Sequence, residues 1–162
     1  MNMNILLAVD GSEGSEGAVQ TLIGRFRPGQ THVRVLHAVE WLKDMPLSFE
    51  FGQGPTYARD IEESRARSYA HAEQLVRRVA GELKQAGFEI SMSTPDEDPR
   101  HAIVHAARDW PANLIVMGSH GRRGMDRFLM GSVAENVMRH APCSVFIERA
   151  PARTAGATHE AA

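Results

Sequence analysis

Residues 118–132 read GSHGRRGMDRFLMGS and decide the fold, because they join two segments of different character. The segment before them, 113–117, is a short apolar run rich in strand-forming residues. The segment after them, 133–138, places apolar residues at helical spacing. We therefore predict a glycine-bearing loop that leaves a buried strand and enters a helix. In parallel α/β sheets, loops at the carboxyl ends of the strands form the ligand crevice.

The chemistry of this loop favours an anion. Gly118 and Gly121 can take positive φ angles and let the backbone approach a ligand closely, since no Cβ atom is in the way. Gly131 and Ser132 open the next helix, whose unpaired amides and positive dipole end suit phosphate. Positive charge in the same loop comes from Arg122, Arg123 and Arg127. The alternative is a basic surface loop whose glycines only turn the chain.

The rest of the chain alternates strands with helices. Apolar or alternating runs predict strands over 4–9, 31–39, 88–94, 113–117 and 144–148. Helical periodicity and capping residues predict helices over 13–26, 58–86, 98–110 and 132–140. Asp10 and Ser12 are the two possible caps of the first helix, and Asp98 is the expected cap of the third. Five strands joined by helices imply right-handed crossovers and a single doubly wound α/β sheet.

Composition is ordinary for a single soluble domain. The 162 residues are 43% hydrophobic, and the net charge of −2 gives no reason to expect nucleic acid or a membrane as partner. Cys143 is the one cysteine, so no internal disulfide forms and a reducing cytoplasm is expected. No apolar run approaches membrane-spanning length, and residues 1–20 lack the basic-then-apolar layout of a signal peptide, so we do not expect export. We predict one domain over 1–149 and a flexible tail over 150–162.

The glycine spacing resembles a known nucleotide-binding signature. Gly118-x2-Gly121-x9-Gly131-Ser132 matches the pattern of the ATP-binding subgroup of the universal stress protein family. Residues 5–12, 114–122 and 142–147 are also similar to that family, and the resemblance spans about 3–149. It implies a Rossmann-like sheet with strand order 3-2-1-4-5 and helices on both faces. In that order the first and fourth strands are neighbours at the ligand crevice.

The resemblance also implies a role for each matching residue. The phosphates and ribose are expected to be surrounded by Gly118, Gly121, Gly131, Ser132 and Val133. Ala8 and Asp10 are expected beside the ribose, with Asp10 as a ligand of Mg²⁺, although Asp10 is also a candidate helix cap. Val39 and Met117 would pack on adenine, or would simply be core residues. At most one loop arginine is expected to touch phosphate, and Arg122 is the candidate.

These residues predict a binding protein rather than a dedicated enzyme. The expected ligand is ATP, or ADP or AMP, and the resemblance implies a homodimeric stress-response regulator that pairs through the edge strand from Ser144 to Ile147. The alternative is a slow ATP hydrolase or phosphate-transferring enzyme that uses the same site. The sequence offers that alternative no nucleophile with an activating neighbour. A third reading is an interaction module without nucleotide, which the intact glycine signature disfavours.

Three other features of the sequence lie outside the glycine-bearing loop, and none of them predicts a separate functional site. His101 and His105 lie four residues apart on a predicted helix, but no third ligand is evident, so we expect surface histidines rather than a metal site. Cys143 is expected to be a small buried hydrophobe. Residues 43–57 carry aromatic side chains among prolines and glycines, which would cover the ligand cleft, serve a partner surface or pack in the core.

Overall fold

The computed structural model of the chain describes residues 3–40, 57–121 and 130–149. Its strands are β1 (Met3–Ala8), β2 (Thr31–Leu36), β3 (Glu89–Ser93), β4 (Leu114–Gly118) and β5 (Ser144–Glu148). Its helices are α1 (Glu13–Arg25), α2 (Tyr57–Gln85), α3 (Pro99–Asp109) and α4 (Ser132–His140), with a 3₁₀ turn at Pro28–Gln30. The predictions for residues 43–56, for Arg122 and the other loop arginines, and for the tail 150–162 lie outside the described residues.

The strands form one parallel sheet in the order β3-β2-β1-β4-β5. The doubly wound, Rossmann-like fold and the strand order implied by the family resemblance are therefore confirmed. β2 ends at Leu36 rather than at residue 39, because the chain beyond it leaves the regular ladder. There the amide of Val39 donates to the carbonyl of Pro95, which lies past the end of β3.

Alternate residues of the central strand β1 face opposite layers of helices. Ile5 and Leu7 belong to the core shared with α1 and α2. Leu6 and Ala8 belong to the core shared with α3 and α4. Helices thus cover both faces of the sheet, as the near-continuous apolar run of β1 predicted.

Helix boundaries follow the capping chemistry of the sequence. The Ser12 side chain caps α1 by accepting a hydrogen bond from the amide of Ser15, and Asp98 caps α3 in the same way. Gly87 has a φ of 92° just after α2, a left-handed conformation that glycine adopts without strain. Within the described ranges, no helix has the length and apolar character that crossing a bilayer requires.

Candidate functional site

The carboxyl ends of β1 and β4 lie side by side. Ala8 pairs with Met117 in parallel register, and the two residues are 8% and 5% exposed. The chain leaves β1 through Asp10 and leaves β4 through Gly118, so two remote segments begin their loops from neighbouring positions. This arrangement is the crevice of a doubly wound sheet, where ligands of such folds bind.

The turn after β1 is built around the Asp10 carboxylate. Its Oδ1 atom accepts hydrogen bonds from the Ser12 amide at 3.0 Å and from the Ser12 hydroxyl at 2.6 Å. The Asp10 amide donates to the Ser15 hydroxyl at 3.2 Å, and Gly11 makes the turn with a φ of 76°. The sequence left Asp10 and Ser12 as alternative caps of α1. The structure shows that Ser12 is the cap and that Asp10 orients Ser12.

The loop after β4 contacts this turn at two points. The Ser12 hydroxyl lies 3.2 Å from the His120 carbonyl oxygen. A Cβ atom on Gly121 would lie 2.9 Å from Oδ2 of Asp10, so the absence of a side chain at 121 lets the loop pass close to the carboxylate. The turn after β1 and the loop after β4 therefore form one continuous wall.

At Gly118 and Gly121 the structure gives a different reason for glycine than the positive φ angles that glycine permits. Neither residue has a positive φ angle, so conformational freedom is not the reason for glycine at these positions. At Gly118 the reason is packing. A Cβ atom there would lie 2.7 Å from the carbonyl carbon of Gly14 and 2.9 Å from the amide nitrogen of Ser15. Glycine at 118 is therefore needed for the first turn of α1 to rest on the end of β4.

The start of α4 supplies backbone donors. Gly131 is its N-cap residue, and the first helical hydrogen bond runs from the Glu135 amide to the Gly131 carbonyl. Within the described residues, nothing accepts a hydrogen bond from the amides of Ser132 and Val133, as expected for the first turn of a helix. Ser132 is exposed and Val133 is half-buried.

Gly131 itself is not a free donor. Its amide donates to the Ser119 carbonyl at 2.9 Å, and a Cβ atom at 131 would lie 3.0 Å from that same oxygen. The loop therefore uses the Gly131 amide to close on itself. Glycine at 131 lets the start of α4 approach Ser119.

Ser119 is an anchor that the sequence did not reveal. It is 4% exposed, and its amide donates to the Glu148 carbonyl at 2.7 Å, which fixes the loop to the end of β5. Its hydroxyl lies 2.9 Å from Nδ1 of His120. A hydroxyl beside an imidazole is the pattern of an activated nucleophile. Here the backbone of Ser119 is bonded to both Glu148 and Gly131, so we interpret the pair as part of the anchor.

Val39 lies beyond β2, on the other side of β1 from Met117. Its side chain is 3% exposed, and its amide bond to Pro95 fixes the chain beside the end of β3. Met117 belongs to the core shared with α3 and α4. Both side chains are apolar and lie near the carboxyl edge of the sheet, where an aromatic ring would find apolar contacts.

Among the described residues, the histidine pair on α3 has too few possible ligands around it for a metal site. His101 and His105 stack with ring centroids 6.2 Å apart, and Nδ1 of His105 lies 2.8 Å from a carboxylate oxygen of Glu97. Within residues 3–40, 57–121 and 130–149, no group of three or more histidine, cysteine or acidic residues could hold a metal ion. Both histidines are exposed, as predicted for a helix surface.

Arg100 and Cys143 lie outside the crevice, and both have shifted pKa values. A hydrogen bond from Arg100 to Asp98 raises the pKa of the Arg100 guanidinium and strengthens the start of α3. Burial raises the pKa of the Cys143 thiol, which disfavours the reactive thiolate. Cys143 packs against the core shared with α3 and α4 but is half-buried, so the predicted burial is found only in part.

Comparison with known proteins agrees with this geometry. The model of the universal stress protein family matches residues 1–149. The chain belongs to the universal stress protein family. A putative universal stress protein of Staphylococcus epidermidis is 28% identical over 148 residues, which are 90% of this chain and 83% of that protein. The universal stress protein UspA of Lactobacillus plantarum has a similar structure, with a TM-score of 0.72, 25% identity and coverage of 91% of this chain and 97% of that one.

Some of the similar solved structures contain nucleotides. The universal stress protein of Archaeoglobus fulgidus in complex with dAMP has a TM-score of 0.62 and 21% identity, and the match covers 90% of this chain and 97% of that one. A family member from Arabidopsis thaliana has AMP bound, with a TM-score of 0.62, 15% identity and coverage of 93% of both chains. These likenesses establish the shared fold, and the nucleotides are those of the other proteins.

Proposed function

We propose that this universal stress protein binds an adenine nucleotide, ATP or its ADP and AMP relatives, at the carboxyl edge of the sheet between β1 and β4. The observation that carries the proposal is the start of α4. Its Ser132 and Val133 amides have no acceptor within the described residues, and they follow a loop that closes against the turn after β1. Amides at a helix start, together with the helix dipole, are a general site for phosphate.

The phosphates would be held by the first turn of α4. The Ser132 and Val133 amides and the Ser132 hydroxyl would donate to phosphate oxygens. Gly131 would contribute through its missing side chain, since its amide is already bonded to Ser119. Arg122 directly follows Gly121 in the sequence and would add positive charge beside the phosphates.

The ribose would lie against the end of β1. Ala8 leaves room there, and the Asp10 carboxylate is an acceptor for ribose hydroxyls. One carboxylate also fits Mg²⁺, which commonly takes one or two carboxylates together with phosphate oxygens and water. The described residues hold no cluster of three ligands, so a nucleotide would have to supply the remaining oxygens. The adenine ring would pack on the apolar Val39 and Met117 side chains.

We further propose that the protein acts as a homodimeric regulator of the stress response in the cytoplasm, with the family-matched region 1–149 as its nucleotide-binding domain. β5 is the last strand of the sheet, and within the described residues no strand pairs with its outer edge. Unpaired edges of this kind are usually covered. Pairing of Ser144–Glu148 with the same strand of a second copy would cover it.

The proposal is tested by calorimetric titration of the purified protein with ATP, ADP and AMP, with and without Mg²⁺, after removal of any nucleotide that co-purifies. We expect saturable binding of one nucleotide per chain. Phosphate release from bound ATP, followed over hours, separates a binding protein from the slow hydrolase alternative. Absence of heat and of co-purified nucleotide under all these conditions would refute nucleotide binding.

A further inference from the structure

We propose that Ser12 is a positioning residue of the nucleotide site. Its hydroxyl proton is shared between the Asp10 carboxylate and the His120 carbonyl, and it thereby couples the loop after β4 to the state of Asp10. This inference rests on the proposed function, because it concerns the same site. It assigns a second task to a side chain that otherwise serves only as a helix cap.

The geometry places two acceptors around one donor. The Ser12 hydroxyl lies 2.6 Å from Oδ1 of Asp10 and 3.2 Å from the carbonyl oxygen of His120. A serine hydroxyl has one proton, so these acceptors compete for it. The charged carboxylate at the shorter distance is the stronger acceptor, and charge-assisted hydrogen bonds are about twice as strong as neutral ones. In this structure the Ser12 hydroxyl therefore donates mainly to the Asp10 carboxylate.

A ligand at Asp10 changes that balance. A ribose hydroxyl that donated to the carboxylate would withdraw negative charge from Oδ1. The Ser12 hydroxyl would then rotate so that its O–H bond points toward the His120 carbonyl. The hydrogen bond between the turn after β1 and the loop after β4 would strengthen. Gly121 follows His120 directly and lies very close to Asp10. A Cβ atom built on Gly121 would be only 2.9 Å from Oδ2 of Asp10. The loop is thus close enough to respond to a change at the carboxylate.

The capping role of Ser12 must be separated from this coupling. The Ser12 hydroxyl accepts a hydrogen bond from the Ser15 amide at 3.2 Å, so its loss also weakens the start of α1. Glycine is well tolerated at an N-cap and costs only a few tenths of a kcal/mol relative to serine. Ser12→Gly therefore removes the donor with little loss of capping, whereas Ser12→Thr keeps both functions.

The experiment measures AMP affinity by calorimetry for the wild type, Ser12→Gly, Ser12→Thr, Asp10→Asn and the Asp10→Asn/Ser12→Gly double variant. We expect Ser12→Gly to bind about ten-fold more weakly, because the Asp10 side chain and the loop after β4 are then no longer held in place before the ligand arrives. Ser12→Thr should retain wild-type affinity. In the double variant the two losses should not multiply, because both interrupt the same coupling. Ser68→Ala removes a helical hydroxyl on α2 and is the matched control, with unchanged affinity.

A second measurement does not depend on nucleotide. Hydrogen exchange of the segment 118–121 in the nucleotide-free protein should be faster in Ser12→Gly than in the wild type. Wild-type affinity in Ser12→Gly, or losses that multiply in the double variant, would overturn the inference while nucleotide binding stands. If the wild type binds no nucleotide, the proposed function fails, and with it the coupling to a ligand. Unchanged hydrogen exchange in Ser12→Gly would by itself show that the Ser12–His120 hydrogen bond does not hold the loop after β4 in place.

Discussion

Gly118 at the end of β4 packs directly against Gly14 in the first turn of α1. A Cβ atom at 118 would lie 2.7 Å from the Gly14 carbonyl carbon, and one at 14 would lie 3.4 Å from the Gly118 Cα atom. The atoms that block a side chain at 118 belong to the backbone and cannot rotate away. The first glycine of the Gly-x2-Gly-x9-Gly-Ser pattern therefore serves the fold, because it sets the distance between helix and sheet at the crevice.

Gly118→Ala should consequently destabilise the protein. Its methyl group must displace the start of α1, and overpacking of this kind costs about 1–3 kcal/mol of unfolding free energy. The measurement is urea denaturation followed by circular dichroism. Gly81→Ala is the matched control, because nothing lies within 4 Å of a Cβ atom there and the residue lies inside α2. That variant should gain about 0.5–1 kcal/mol. Equal stability of the two variants would contradict the packing argument.

The sequence predicted the elements well, because its signals for them are local. The buried run of β1 and the caps Ser12 and Asp98 depend on neighbouring residues alone. Strand order came from the family resemblance, since periodicity carries no information about which strands pair. The reasons for glycine at 118 and 131 could not be predicted, because each depends on a contact that exists only after folding.

The contact between Ser12 and His120 was missed for the same reason. Serine after an Asp-Gly turn indicates a helix cap, and the sequence contains no sign of a second acceptor 108 positions further on. The role of Ser119 was likewise not predicted from the sequence, although this residue links the loop after β4 to both β5 and the start of α4. The position of the crevice was therefore predicted from the sequence, whereas the contacts that hold the crevice together were not.

Burial of Cys143 predicts a pH effect on stability. Because burial raises the pKa of its thiol, the unfolded chain loses this proton first as pH rises, so the folded state binds more protons. The contribution of Cys143 is fully present below the ordinary thiol pKa, about 8.5, and is lost as pH rises through the higher folded-state value. Cys143→Val, which cannot titrate, should show a smaller fall in urea midpoint over this range. An identical fall in both proteins would exclude the effect.

The proposed dimer predicts that the two edges of the sheet behave differently. Ile147 on β5 is half-buried against the core of α3 and α4 and would lie at the pairing edge. Ile147→Lys should shift the protein from dimer to monomer in analytical ultracentrifugation, because it places a charge in the contact. Met92 on β3 is 54% exposed at the opposite edge, so Met92→Lys should remain dimeric. A wild type that sediments as a monomer would rule out the dimer itself.

The close approach of Gly121 to Asp10 predicts a selective loss of binding. In Gly121→Ala the new methyl group would lie 2.9 Å from Oδ2 of Asp10 and push the carboxylate aside. Gly121 is exposed and its φ is not positive, so unfolding free energy should change by less than about 0.5 kcal/mol. AMP affinity should fall about ten-fold, the loss of one charged hydrogen bond. In an Asp10→Ala background the same methyl group should cost no further affinity.

A negative charge at the start of α4 separates phosphate binding from stability. Ser132→Asp puts a carboxylate at the positive end of the helix dipole, so we expect unfolding free energy to rise by about 0.3–1 kcal/mol. The same carboxylate competes with phosphate for the Ser132 and Val133 amides, and ATP affinity should fall at least about ten-fold by charge repulsion. Ser132→Ala removes only a hydroxyl and should lose less. Substitution of Gly131 is a poorer test, because any side chain there meets the Ser119 carbonyl. Undiminished ATP affinity in Ser132→Asp would place the phosphates elsewhere.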